Sequence, residues 1–199
     1  SVPSSESGLV SMDLEFPAHF QAGMKYKLLP DLQVNFDVGW TDYKAWDKFR
    51  FEFDRQISAL KIAKLLSANV TDTSLALPLE FTSPWSWGIG FEYSATDRLK
   101  LRAGYEPRSS AIPDNKRNTM VPIHNAQLFG LGVGYKFDAD TDLDLSIGFL
   151  RSKDNIPANT SSLSNQTGVN NLLLNPYAGL NVKTDTKITI LGLNYRTRW

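Results

Sequence analysis

Lys48 and Arg50 are the residues of this sequence with the clearest potential chemistry. They alternate with Phe49, Phe51 and Phe53 in the run Lys48-Phe49-Arg50-Phe51-Glu52-Phe53, so two cations sit beside apolar rings. A cation in such surroundings suits an amphiphile with a carboxylate head, because charge-assisted hydrogen bonds fix the head while the tail stays dry. The competing expectation is a solvated charge paired with Glu52 or Asp54, since exposed ion pairs are common. Arg102, Arg117 and Lys116 carry the same alternative.

A second set is defined by what it lacks. Gly88, Gly90, Gly104, Gly130, Gly132, Gly134, Gly148 and Gly192 recur at every second position of apolar runs. Glycine weakens a strand interior and marks a bend or a close approach there. Two readings stand: curvature of a closed sheet, or clearance of space, with Gly88, Gly90, Gly130, Gly132 and Gly134 opening room for a plug or an elongated apolar ligand. Conventional catalysis has little to work with. His19 and His124 are the two histidines, and no cysteine is present, which removes thiol chemistry, disulfides and zinc-thiolate sites. No catalytic residue, metal ligand or cofactor is assigned; a Ser-His-Asn arrangement around His124-Asn125 is the one hydrolase alternative.

The elements that position these residues are strands. Apolar and polar residues alternate from Met12 to Leu28, and again in Leu32, Val34, Phe36, Val38 and Trp40 after the turn signal Pro30-Asp31. The phase then slips to Phe49, Phe51 and Phe53, so a bulge or bend is expected between Asp42 and Trp46, with Arg50 at the outer end of the second strand. Four further strands follow: Trp85 to Tyr93, Leu99 to Glu106, Phe129 to Phe137 and Leu143 to Phe149. The chain closes on Leu191, Leu193, Tyr195 and Trp199, opposite Gly192, Asn194, Arg196 and Arg198. Between Gln56 and Ala68 the spacing of Ile57, Leu60, Ala63 and Leu66 is helical instead, either a self-packed loop or a greasy landing surface.

Composition and connection lengths select among β architectures. The 199 residues are 42% hydrophobic and 12% aromatic, yet no apolar run approaches the ~18–20 residues that a membrane helix requires. With 21 basic and 21 acidic residues interspersed, no net field would draw in nucleic acid. Short links near 29–31, 95–98 and 138–142 alternate with long ones near 55–83, 107–122 and 152–183. Short turns at one end and long loops at the other are the mark of a transmembrane β-barrel, so an all-β, antiparallel transmembrane barrel with about seven strands in this chain is expected. The alternatives are a soluble sandwich or lipocalin-like barrel.

Several segments carry a family resemblance: Gly8-Leu9-Val10-Ser11-Met12-Asp13-Leu14-Glu15-Phe16-Pro17, Val38-Gly39-Trp40-Thr41-Asp42-Tyr43-Lys44-Ala45-Trp46, and the succession Leu101-Arg102-Ala103-Gly104-Tyr105, Ala111-Ile112-Pro113-Asp114-Asn115-Lys116-Arg117 and Gly130-Leu131-Gly132-Val133-Gly134-Tyr135-Lys136-Phe137. Together they resemble the C-terminal half of the FadL/TodX outer-membrane transporters of long-chain fatty acids and other hydrophobic compounds. The resemblance implies a fourteen-stranded barrel in the Gram-negative outer membrane, passive gated diffusion without cofactor, and Arg50 as the match to a basic residue of the fatty-acid site. It also implies as partners outer-membrane lipid, an apolar ligand, and an N-terminal barrel half with its plug. Seven strands do not satisfy the even-strand rule of bacterial barrels, so this chain reads as a C-terminal portion. A surface-interaction barrel without transport is the alternative from another class.

Overall fold

A computed structural model describes residues 6–168 and 175–198. Ten strands form in the order β1 (Val10–Ser11), β2 (His19–Leu29), β3 (Leu32–Thr41), β4 (Lys48–Phe53), β5 (Ser74–Pro78), β6 (Trp85–Ser94), β7 (Leu99–Arg108), β8 (Ala126–Lys136), β9 (Thr141–Ile156) and β10 (Val182–Thr197), with one short helix, α1 (Ser58–Ala63). Seven of the strands make one antiparallel sheet, ordered β10-β9-β8-β7-β6-β3-β2. The remaining three, β1, β4 and β5, form a separate small sheet.

The large sheet is open: β2 and β10 are its edges among the described residues. Its two faces follow directly from the alternation. One carries Val38, Trp87, Phe91, Tyr105, Phe129, Leu131 and Leu193; the other carries glycines and polar groups. The apolar face is uncovered even at the centre, where Leu131 of β8 is 57% exposed, and at the edge Leu191 is 77% exposed. In water so broad an apolar surface would demand a partner, whereas hydrocarbon needs none. No helix among the described residues is long and apolar enough to cross a membrane.

Consecutive strands are neighbours, so connections alternate between the two ends of the sheet. Residues 30–31, 95–98 and 137–140 join strands at one end; residues 42–84, 109–125 and 157–181 join them at the other. The third long connection starts later than expected because β9 runs on to Ile156, paired with Val182 of β10.

Three expected elements differ. The first strand begins at His19 rather than Met12; Pro17 lacks the N–H a ladder needs, and only Val10 and Ser11 of the preceding segment pair, with Phe53 and Glu52 of β4. The phase slip after Trp40 is an exit from the large sheet. Asp42 N–H still bonds Ala18 C=O at 2.8 Å, then a 3-10 turn at Tyr43–Ala45 redirects the chain into the small sheet. Trp46 anchors that exit: its ring lies 5.7 Å from Tyr43, 5.8 Å from Phe49 and 6.4 Å from Phe81, centroid to centroid, while its Nε1–H donates to Glu15 C=O at 2.7 Å.

Helix α1 is also shorter than the periodic stretch from 56 to 68. The carboxylate of Glu6 accepts from the Ser58 N–H and hydroxyl, at 3.0 and 2.7 Å, satisfying donors that a helix start leaves free.

The buried residues gather in the long connections and at the strand ends beside them. Ile112, Leu163, Ile156 and Ala126 supply apolar packing, and Ser161, Ser164, Asn165 and Asn175 are almost fully buried. Asn165 organises this cap. Its Nδ2 lies 3.0, 2.7 and 2.8 Å from the carbonyls of Ile156, Pro157 and Leu180, and its Oδ1 accepts from Ser161 N–H at 3.0 Å. The three long connections are tied to one another. Thr82 N–H donates to Ala111 C=O at 2.7 Å, Lys116 pairs with Glu80 at 2.8 Å, and Ser162 N–H donates to Asn115 C=O at 3.0 Å.

Candidate functional site

The polar face of the large sheet is built rung by rung, because antiparallel pairing sets same-facing residues directly opposite one another. One rung runs Lys25, Asn35, Gly90, Gly104, Gly130, Gly148 and Ile190 across all seven strands, so four consecutive strands present bare backbone at one level. Toward the long connections the next level carries Glu106, Leu128, Leu150 and Ile188. Toward the short turns come Glu92, Arg102, Gly132, Ser146 and Gly192, then Lys100, Gly134, Asp144 and Asn194. A cavity of about 700 Å³ lies over these levels, lined among others by Asp37, Arg102, Gly104, Leu128, Asp144 and Ile190.

The glycines of this face divide into two kinds. At Gly130 a Cβ would meet nothing within 4 Å, and at Gly104 only the Ile89 carbonyl at 3.6 Å. Packing does not require glycine at either position; a side chain there would simply fill the cavity. Gly88 and Gly134 are different. A Cβ at Gly88 would stand 3.2 Å from Asp37 Oδ2, and one at Gly134 would stand 2.6 Å from Asp144 Oδ1 and 3.1 Å from an Arg102 Nη. Gly90 and Gly132 meet neighbours at ordinary contact distance, 3.7 and 3.4 Å. Of the five glycines expected to clear space, Gly130 therefore borders open space, Gly90 and Gly132 make ordinary contacts, and Gly88 and Gly134 make way for charged neighbours.

Those charges form a chain across the face. Lys100 Nζ donates to Glu92 Oε1 at 2.6 Å, Arg102 Nε to Glu92 Oε2 at 2.7 Å, and Arg102 Nη1 to Asp144. The sequence marks Arg102 as a cation but leaves its partners unassigned. Glu92 could have been found, since the tight link at 95–98 sets it opposite Arg102. Asp144 could not, because it belongs to a different rung two strands away and reaches Arg102 only over the bare Gly134.

Lys48 and Arg50 lie elsewhere than expected. They belong to β4 in the small sheet, at the end of the long connections, and not to the second strand of the large one. Lys48 and Arg50 share one face of β4 with Glu52, bordering a cavity of about 220 Å³ with Ser11 and Asp13. Phe49 and Phe51 point to the opposite face, as alternation along a strand requires, and Phe49 packs on Trp46. The two cations and the two rings thus face different surroundings. Glu52 and Asp54 do not pair with Arg50; the Asp54 carboxylate takes Arg55 at 3.1 Å and the Leu9 N–H at 3.1 Å. Both bonds hold its pKa below the ordinary aspartate range, Arg55 the more strongly.

His124 sits in the cap. Its Nε2 is 3.5 Å from Asp114 Oδ1, and Asp114 and Asp154 both bond Arg117, at 2.5 and 2.8 Å. Ser152 Oγ accepts from the backbone N–H of His124 and donates to the Asn125 carbonyl; it is committed to backbone and faces no imidazole nitrogen. No group of three metal-ligating side chains occurs among the described residues.

A seven-stranded antiparallel sheet with an apolar outer face, a polar and glycine-rich inner face, and long connections at one end is one wall of a membrane barrel. The family model for "outer membrane protein transport protein (OMPP1/FadL/TodX)" matches residues 3–199. This chain belongs to the OMPP1/FadL/TodX family. Solved structures agree with the fold. The toluene transporter TodX of P. putida is 18% identical, with 96% of this chain and 37% of that chain covered and a TM-score of 0.62. A FadL homologue of Pseudomonas aeruginosa is 14% identical, covering 94% and 36%, TM-score 0.59. The toluene transporter TbuX of Ralstonia pickettii is 14% identical, covering 96% and 36%, TM-score 0.57. No curated protein matches the chain. It spans a little over a third of the length of these solved FadL/TodX structures. The barrel expected from the sequence is therefore the fold of this family, present here as a sheet that is not closed.

Proposed function

We propose that this chain forms part of the wall of a barrel that admits hydrophobic molecules across the outer membrane of a Gram-negative cell. The observation that carries the reading is the pairing of two faces on one sheet. An uncovered apolar face suits lipid, and the opposite face bears a cavity floored by glycines whose absent side chains leave room for cargo. The solved structures of this family include toluene transporters, which supports the same class of cargo.

Passage is by diffusion, gated by the tied loops of the cap, and needs no nucleotide or cofactor. The unpaired edges β2 and β10 meet the remaining strands and the plug of the full barrel, since bare backbone edges are not tolerated in hydrocarbon. Two cargo classes fall within this reading, carboxylate-headed fatty acids and uncharged hydrocarbons. Lys48 and Arg50, exposed on β4 of the small sheet, would receive the first, with Phe49 and Phe51 lining the other side of the same strand. Uptake of a labelled apolar panel by cells with and without the gene is the test, and uptake independent of the gene across that panel overturns the proposal.

A further inference from the structure

The outer face of the large sheet is charged in one place. Outward positions are uncharged along β2, β3, β6, β7 and β8; among the described residues of the sheet, the charged ones are Arg151 and Lys153 of β9 with Lys183, Asp185 and Lys187 of β10. All of them sit at the end of the long connections. They follow directly on a row of rings, in which Phe36 and Trp87 lie 6.4 Å apart, Trp87 and Tyr105 6.1 Å, and Tyr105 and Phe129 4.8 Å, with Phe149 opposite Phe129 in the ladder. Aromatic rows on a barrel wall mark the boundary of the hydrocarbon. Arg151 and Lys153 follow Phe149 by about 7 and 13 Å along the strand, and the strand tilt of a barrel reduces these to heights of roughly 5 and 10 Å. Those are the levels of lipid headgroups.

Asp185 holds the two β9 cations side by side, 3.2 Å from Arg151 and 4.0 Å from Lys153, while Lys183 and Lys187 make no ion pair among the described residues. The patch is therefore strongly positive. Beside it lies a recess of about 460 Å³, lined among others by Pro107, Ser109, Asn125, Gln127, Arg151 and Lys153. Arg108 also borders it but is engaged by Glu106 at 2.8 Å. Asn125 Oδ1 accepts from Ser110 N–H at 2.9 Å, which leaves its Nδ2 free to donate. β9 is flanked by β8 and β10, and further strands of a barrel join at the sheet edges, so they leave the outward side of Arg151 and Lys153 uncovered.

We infer that this patch binds the anionic phosphate headgroup of a membrane lipid, in the leaflet at the end of the long connections. Guanidinium and ammonium groups recognise phosphate through charge-assisted hydrogen bonds, and the chains of such a lipid would lie along Tyr105, Phe129 and Phe149 immediately below. Free phosphate gains only the first of these contacts. The inference rests on the reading that the apolar face lies in lipid, and adds to it one specific lipid contact.

The test measures binding of single lipids to the full-length protein in neutral detergent by native mass spectrometry, with dioleoyl phosphatidic acid, dioleoyl phosphatidylcholine and inorganic phosphate as probes. The native protein should hold phosphatidic acid at least about tenfold more tightly than phosphatidylcholine, and inorganic phosphate at equal concentration should not displace it. Arg151→Gln with Lys153→Gln should remove most of that preference. Lys25→Gln with Lys27→Gln, which takes the same charge from the inner face, should keep it within about twofold. Equal affinity of the native protein for the two lipids overturns the inference, as does a β9 double variant that keeps the preference or an inner-face variant that loses as much. Displacement by inorganic phosphate assigns the patch to the free ion and overturns the lipid assignment. Should the β9 double variant lack the heat-dependent electrophoretic shift of a folded barrel, Lys153→Gln alone is read in the same way, and the native comparison decides independently. A native protein that does not insert into bilayers overturns the membrane reading and the inference with it, whereas one that inserts and binds both lipids equally sinks the inference alone.

Discussion

In the large sheet, Phe129, Leu131, Leu191 and Leu193 stand uncovered, while in the long connections Ser161, Ser164, Asn165 and Asn175 are almost fully buried. A water-soluble protein arranges these the other way round. The inversion shows that the two regions have different solvents. The sheet meets hydrocarbon on one side and a wide cavity on the other, so it keeps little buried volume of its own. The cap meets water and must build a core from what connects strands, and connecting segments bring backbone carbonyls and N–H groups that need partners. Buried asparagine and serine are those partners.

The most forceful way to break the comparison is to place a charge on the outer face. Leu131→Arg, at the middle of β8, should cost roughly 2–4 kcal/mol of barrel stability if that face lies in lipid, measured by reversible urea unfolding in bilayers. A loss near zero would mean the face is wet. Next in size is Asn165→Ala, which strips partners from three carbonyls and one N–H. A loss of about 1–3 kcal/mol is expected, confined to the cap. Limited proteolysis should then cut within residues 157–181 while the electrophoretic shift of the barrel is retained; loss of both together would show that cap and sheet are one cooperative unit.

A smaller effect separates the two kinds of glycine. Gly104→Ala should leave the sheet unharmed or stabilise it by roughly 0.5–1 kcal/mol, the usual difference between glycine and alanine inside a strand. Gly134→Ala should destabilise, because its Cβ would drive Asp144 off Arg102. Equal responses in unfolding experiments would remove the distinction. Replacing both Lys48 and Arg50 with alanine should leave uptake of an uncharged cargo unchanged within about twofold, since those side chains border a different cavity.

The smallest effect lies in the turn at 137–140. Asp138 accepts from the Asp140 and Thr141 N–H groups at 2.9 and 2.8 Å, and these bonds, the Asp140 one foremost, lower its pKa. A depressed folded-state value contributes stability above the ordinary aspartate pKa and loses it as pH falls through the lowered one. Exchange of the Asp140 and Thr141 amides should therefore quicken, relative to intrinsic rates, only in acid below the usual carboxylate range. Protection that stays flat through that range would refute the link.

How much of this was legible beforehand follows from which forces are local. Alternation marked β3 and β6 to β10, because a side-chain period of two needs no knowledge of partners, and Pro30-Asp31 and Thr96-Asp97 fixed the tight links. The alternation of Met12, Leu14 and Phe16 misled, since period alone does not show whether a ladder partner exists and Pro17 interrupts pairing. Phe49, Phe51 and Phe53 showed the slip after Trp40 but not its cause, an aromatic cluster assembled with Phe81 from a distant segment. On the inner face the glycines were visible while their division into two kinds was not, because that depends on whether Arg102 and Asp144 reach across them. The Arg117–Asp154 pair joins segments whose spacing carries no signal. Trp199, the aromatic end of the closing strand, lies outside the described residues.

The edge strand β10 has a consequence in time. Its outward residues, Leu191, Leu193 and Tyr195, cannot wait long in water, and its unpaired peptide groups cannot wait at all in hydrocarbon. Each half of the strand's chemistry forbids one side of the journey, so hydrogen-bonded closure and entry into the bilayer have to coincide. A barrel built on such an edge is assembled in a single concerted passage, with the membrane acting as the last reagent added.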